Sequence, residues 1–331
     1  MTNPTLKKGD TGPDVERVQK TLGIPVDGDF GGVTDSAVRS FQAATGLDAD
    51  GIVGPGTWAE LNGLDARMAA GSNGLESSLQ DDIIAVVSRS PLLDYQWSDR
   101  GLAPRGYIAG MALSFALAVL AWMNDALEDG NAVADAVEEM ARAATNNDDI
   151  DVLAWYADEF DDIDMDNSID GLATLRHLFV LLIGLGMRES SGEYCCGLDQ
   201  SADNTASDTA EAGLFQTSWN IETSSPHIGN LLAEYWDDPN GWLPVFSDGI
   251  SPTSVDLQHY GDGEGARYQW LAKYSPTFAV FVTAVGLRKR RQHWGPINRR
   301  EVELVKDADD MLMAVQRLLT GRYRPERKEL A

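Results

Sequence analysis

The pattern Asp27-Gly28…Gly31…Thr34 returns 23 residues later as Asp50-Gly51…Gly54…Thr57. Glycines at this spacing let the backbone adopt positive φ, and the aspartates can accept hydrogen bonds from turn amides, so each copy reads as a turn that feeds a helix. Three short helices are expected over residues 6–62. In the first, Pro13 suits an initial helical position, Asp14 and Glu16 favour the positive N-terminal end, and Val15, Val18 and Leu22 recur on one face until Gly23 stops the run. The second is expected from about Thr34 through Ala37, Val38 and Phe41 to Thr45, ended by Gly46. The third opens on Thr57 and Glu60, a T-x-x-E capping box, with Trp58 and Leu61 turned to the core. Taken alone, the two turns need do no more than build loops.

Beyond this unit, residues 64–78 are small (Gly71, Gly74, several Ala and Ser) and read as a flexible linker. The chain divides into 1–63, 64–78 and 79–331. Helical patterns dominate the last part, at about 79–90, 106–128, 131–144, 150–160, 171–188, 228–236, 276–291 and 299–320, and few alternating runs occur. The fold class is mainly α. The apolar stretch Ile108 to Met123, 16 residues long and followed by Asn124 and Asp125, is short for a bilayer span and reads as a buried helix, so no membrane span is expected. Fifty-two acidic against 26 basic residues give a net charge of -26, which repels nucleic acid. The basic run Arg288 to Arg291, with Arg299 and Arg300, reads as a helix face paired with nearby acids.

One carboxylate is singled out by its setting. Leu172 to Met187 is a long apolar helix that ends abruptly in Arg188-Glu189-Ser190-Ser191-Gly192. A glutamate emerging from such surroundings into a cleft has its ionised form disfavoured, which raises its pKa toward the range of a general acid. Gly213-Leu214-Phe215-Gln216 arrives 24 residues later. The intervening loop is acidic (Glu193, Asp199, Asp203, Asp208, Glu211), and Asp199 and Asp203 are the first choices for a second catalytic carboxylate. Tyr194, Trp219 and Asn220, with aromatic faces and an amide beside these segments, are candidate ligand contacts. Cys195 and Cys196 could close a vicinal disulfide but read as two free, partly buried thiols. The four histidines show no ligand spacing, and Asp162, Asp164, Asp166 and Asp170 lack the Gly and Glu of a calcium loop, so neither metal nor cofactor is expected.

Two resemblances connect these features. Leu6 to Asn62, with Leu6-Lys7-Lys8-Gly9-Asp10, Val26-Asp27-Gly28-Asp29-Phe30-Gly31, Ala37-Val38-x-x-Phe41-Gln42 and Asp50-Gly51-Ile52-Val53-Gly54-Pro55-x-Thr57-Trp58, resembles the type 1 peptidoglycan-binding domain. That resemblance implies a three-helix module whose groove near Asp29, Phe30, Gly31, Gly54 and Pro55 contacts the wall polymer. Glu189-Ser190 followed by the Gly213–Gln216 segment resembles the superfamily of goose-type lysozymes and soluble lytic transglycosylases. This second resemblance implies that Glu189 is the acid catalyst and that Ser190, Gly213, Leu214, Phe215 and Gln216 shape a sugar subsite. Phe215 stands where the family usually has Met. The family's late Tyr-Asn pair has no clear counterpart, and His293-Trp294-Gly295-Pro296-Ile297-Asn298 is the segment offered in its place.

The expectation is a peptidoglycan-cleaving enzyme acting at the bacterial cell wall on the β-1,4 bond between N-acetylmuramic acid and N-acetylglucosamine, as a lysozyme or a lytic transglycosylase. The alternatives are a wall-binding protein without activity and a chitin-directed glycosidase. Met1 to Asp10 contain no apolar core of a Sec leader, which points to holin release or a secretion system as the export route.

Overall fold

The computed structural model describes residues 3–71, 74–123, 131–198 and 204–323. Among these, strand pairing is confined to isolated bridges such as Leu6 with Val53 and Thr11 with Asp29, and the protein is mainly α.

Helices α1 (Pro13–Thr21), α2 (Gly32–Ala44) and α3 (Pro55–Ala70) form the N-terminal bundle. Val15, Val18, Phe30, Val38, Phe41, Val53, Trp58 and Leu61 fill its interior. The sequence repeat is also a hydrogen-bond repeat. Gln19 Nε2 donates to Asp27 Oδ1 (2.7 Å), Asp29 O (3.0 Å) and Thr34 Oγ1 (3.0 Å), while its Oε1 accepts from the Gly28 amide (2.9 Å). Gln42 does the same with Asp50 (3.0 Å), Ile52 O (3.0 Å), Thr57 (3.1 Å) and the Gly51 amide (2.9 Å). Each buried amide thus saturates the polar groups of one Asp-Gly turn.

Two local expectations are corrected here. Thr57 does not cap α3, because Pro55 starts the helix two residues earlier with its φ already set, and the Thr57 hydroxyl is engaged with Gln42 and with Ile52 O (3.3 Å). The segment expected as a linker is helical as far as Ala70, with Leu64 fully buried. Its alanines, Leu64, Arg67 and Met68 are strong helix formers.

The remaining helices are α4 (Ser77–Val87), α5 (Arg105–Met123), α6 (Ala132–Ala141), α7 (Val152–Trp155), α8 (Ala157–Asp161), α9 (Leu172–Ser190), α10 (Pro226–Asp237), α11 (Leu243–Phe246), α12 (Gly263–Tyr274), α13 (Pro276–Lys289), α14 (Gly295–Asn298) and α15 (Lys306–Arg322). Helix α9 runs through the centre against α5, α6, α13 and α15. At 19 residues α5 is long and apolar enough for a bilayer by composition, so the length argument from the sequence fails; 78% of its apolar window is buried, which makes it a core helix of this fold.

The basic run at the end of α13 pairs with nearby acids, and its first member is an internal joint. Arg288, 3% exposed, donates to both Asp151 oxygens (2.9 and 3.1 Å) and to the carbonyls of Met140, Arg142 and Ala143. It ties α7 and the end of α6 to α13, and Lys289 pairs with Glu139 at 2.7 Å.

The N-terminal bundle lies directly on this body. Helix α2 packs along α12, with the Phe41 and Trp270 ring centroids 5.7 Å apart, and Tyr274 Oη donates to Thr21 O at 2.8 Å. Gly23 leaves room for Leu243, whose Cδ2 would stand 2.3 Å from a Cβ at that position.

Candidate active site

Glu189 is placed by the way α9 ends. Tyr107 of α5 donates its hydroxyl to the Ile183 carbonyl (2.8 Å), and its ring fits between two glycines. A Cβ at Gly186 would lie 2.2 Å from the Tyr107 hydroxyl, and one at Gly192 would lie 2.8 Å from its ring. Ser191 turns the chain in the left-handed region (φ 56°), and the amides of Ser191 and Gly192 donate to the carbonyls of Met187 and Gly186. Ser190 is buried, its hydroxyl donating to Gly186 O at 3.1 Å. The preceding Arg188 is held by Glu301 at 3.3 Å, while its carbonyl accepts from Arg100 at 2.6 Å.

Glu189 itself is partly buried. Burial pushes its carboxyl from the ordinary 4.5 up to about 8, and the neighbouring charge of Glu211 acts in the same direction; Arg299, Arg100 and Arg188 oppose the shift. The group keeps its proton at neutrality. Glu211 stood only among the loop acids of the sequence, and the structure brings it to Glu189.

The Gly213–Gln216 segment is a tight turn closed by the Ala212–Thr217 bridge, with Ala212 N donating to Thr217 O at 2.9 Å. It is clamped from two sides. The Cys196 carbonyl, a few residues beyond Glu189, accepts from Gly213 N (2.9 Å) and Gln216 Nε2 (3.4 Å). From behind, Trp294 Nε1 donates to Phe215 O at 3.2 Å, and Thr217 and Tyr268 share a hydroxyl hydrogen bond of 2.5 Å. Gly213 has φ 75° and lies so close to helix α12 that a Cβ would stand 2.7 Å from the Ala272 carbonyl. The segment 293–298 therefore packs behind the turn, and Arg299 just after it acts on Glu189.

The expected contact residues divide by exposure. Gln216, Trp219 and Asn220 are partly open, whereas Leu214 and Phe215 are fully buried, backbone included. Tyr194 is 3% exposed and lines a cavity of about 30 Å³ together with Leu22, Ile24 and Tyr274, toward the N-terminal bundle. Little of its ring is left for a sugar. Asp199 and Asp203 lie outside the described residues. Cys195 and Cys196 are free thiols, and burial pushes the Cys196 thiol up to about 11. In the N-terminal bundle Asp29 and Pro55 are exposed and Gly31 and Gly54 partly so, but Phe30 belongs to the core. Among the described residues no group of three or more His, Cys, Asp or Glu could hold a metal ion.

Residues 11–61 match the family described as "Putative peptidoglycan binding domain", so the chain carries a domain of that family at its N-terminal end. An uncharacterized protein of Kitasatospora aureofaciens is 46% identical over 68 residues, covering 18% of this chain and 58% of that protein. The zinc D-Ala-D-Ala carboxypeptidase of Streptomyces albus G is 42% identical over 65 residues, covering 17% of this chain and 26% of that enzyme. The chain thus spans little more than half of the first of these curated relatives and about a quarter of the second. Among solved structures, the Burkholderia AP3 phage endolysin aligns over 96% of this chain and 98% of its own at 15% identity, with a TM-score of 0.18.

Proposed function

We propose that this chain binds peptidoglycan through residues 1–63 and cleaves its glycan strands with residues 79–331, at the β-1,4 bond between N-acetylmuramic acid and N-acetylglucosamine. The observation that carries the reading is Glu189, a carboxyl that burial raises to about 8 at the end of a core helix, followed along the chain by Cys196, whose carbonyl holds the Gly213–Gln216 turn. A protonated carboxyl can protonate the bridging oxygen as positive charge develops at the anomeric carbon. Gln216, Trp219 and Asn220 hold the sugar, with the Gly213–Phe215 backbone and Ser190 shaping the turn. Where water attacks, a second carboxylate must orient it, and Glu211 is the acid already beside Glu189. Where the muramic acid 6-hydroxyl attacks, Glu189 alone suffices by returning as base, and an anhydro end forms.

The protein acts at the bacterial wall, whose glycan is its partner. Glu189→Gln is expected to abolish muropeptide release from purified sacculi; release at the wild-type rate would overturn the assignment. Product masses separate the two chemistries, because an anhydro end is lighter by one water.

A further inference from the structure

Residues 251–258 touch the N-terminal bundle at Gly32 and, at Gly197, the stretch of chain that holds the Gln216 turn. A Cβ added at Gly32 would stand 3.6 Å from Ser254 Cβ, and one added at Gly197 would stand 2.9 Å from the Val255 carbonyl. Gly197 follows Cys196, whose carbonyl holds Gly213 N and Gln216 Nε2. Contacts thus run from Gly32 across Ser254 and Val255 to Gly197, next to the carbonyl that holds the Gln216 turn. Gly31, Gly32, Ser254, Cys196, Gly197 and Gln216 are all partly open to solvent, and Val255, 40% exposed, is one of the few large apolar side chains on the surface.

This bridge is stiff. Asp256 Oδ2 accepts from both the amide and the hydroxyl of Thr253 at 2.7 Å, the buried Lys273 ammonium donates to Gln258 O at 2.8 Å, and Pro252 and Leu257 are buried beneath it. The bundle is equally fixed. Besides the Phe41–Trp270 and Tyr274–Thr21 contacts, Arg67 of α3 and Arg267 of α12 both lie against Trp236, 5.1 and 4.4 Å from its ring centroid. A wall-binding module on a loose tether would raise only the local concentration of polymer, whereas one fixed against the body that carries Glu189 can hold the same strand that is being cut.

We propose that Gly31, Gly32, Ser254 and Val255 form distal glycan subsites, so that one strand runs from the N-terminal module to Glu189 over a continuous surface. Side-chain-free backbone at Gly31 admits close approach of a sugar ring, Ser254, packed against Gly32, offers a hydroxyl, and the Val255 methyls suit the apolar C–H face of a pyranose. The ligand class rests on the proposed function; the continuity of the surface does not.

The test uses the full chain carrying Glu189→Gln, so that binding is read without turnover, and measures its affinity for peptidoglycan glycan oligomers of increasing length. Affinity is expected to keep rising for strands longer than the cleft around Gln216 holds, and Ser254→Trp is expected to remove about ten-fold of that length-dependent gain. Val255→Asp, at an exposed position, should do likewise, and thermal melts verify that both variants are folded. Equal affinity for short and long strands, or an unchanged length dependence in both folded variants, would overturn the distal subsites while leaving the catalyst assignment standing. Muropeptide release by Glu189→Gln would instead sink the catalyst and leave the length dependence to decide the track. No binding at any length would end both.

Discussion

In the N-terminal bundle, Gln19 and Gln42 gather the polar groups of their Asp-Gly turns into closed hydrogen-bond sets. At the end of α9, burial and the charge of Glu211 both oppose ionisation of Glu189. The first arrangement lowers the energy of buried polar atoms by satisfying them, and the second keeps a group in its uncharged, proton-donating form at a cost to stability. Repeated, satisfied polar residues build architecture in this protein; the disfavoured carboxyl of Glu189 is where catalysis is proposed.

The contrast can be broken most directly at its functional end. Glu189→Gln should lower glycan cleavage by roughly three orders of magnitude with the fold intact, measured as muropeptide release beside a circular dichroism spectrum. At the architectural end, Gln42→Ala strands the buried Gly51 amide and removes the hydrogen bonds to Asp50, Ile52 O and Thr57. It should destabilise the bundle by roughly 2–3 kcal/mol in urea unfolding and weaken sedimentation with sacculi.

The third effect is subtler and links stability to pH. The folded carboxyl of Glu189 holds its proton up to about 8, whereas an unfolded chain loses it near 4.5. The folded state therefore binds more protons between these values, and this group's contribution to stability falls as pH rises through that window. Glu189→Gln lacks the penalty. Its unfolding free energy in urea should equal that of the wild type near pH 4.5 and exceed it near pH 8, by roughly 1–2 kcal/mol once partial solvent screening is allowed for. A gap that closed instead of opening would mean that the carboxyl is not disfavoured.

The smallest effect concerns Glu211. Its removal in Glu211→Gln should move the alkaline limb of the pH–rate profile toward lower pH, since one influence raising Glu189 is gone. If water is the nucleophile, the same variant also loses turnover; if the 6-hydroxyl attacks, only the limb moves.

Much of the module was legible because Gly and Pro punctuate it: Pro13, Gly23, Gly46 and Pro55 bound its helices closely. The capping box was misread because Thr57 and Pro55 compete for the same helix start, and proline, needing no amide partner, takes it. Helix α12 escaped notice for another reason. From Gly265 to Tyr274 nearly every residue is covered on all sides, polar ones included, so no amphipathic stripe exists to be read. The same burial ambiguity placed Tyr194 among the sugar contacts, since an aromatic side chain suits a core as well as a pyranose. Glu189 was visible because an apolar helix stops at it. The nearness of Glu211 was not, because it depends on the Gly213 turn folding back onto the Cys196 carbonyl, a contact between segments that carries no local pattern.

The Tyr107 ring wedged between Gly186 and Gly192 acts as a spacer for the Glu189 carboxyl. Helix α9 stops where the thickness of one aromatic ring allows, and a single methyl at either glycine would have to push the ring or tilt the helix end. The position of a proton donor on one helix is in this way gauged by a phenol on another, so variation at 107, 186 or 192 would shift the reach of Glu189 with no change to the residue itself.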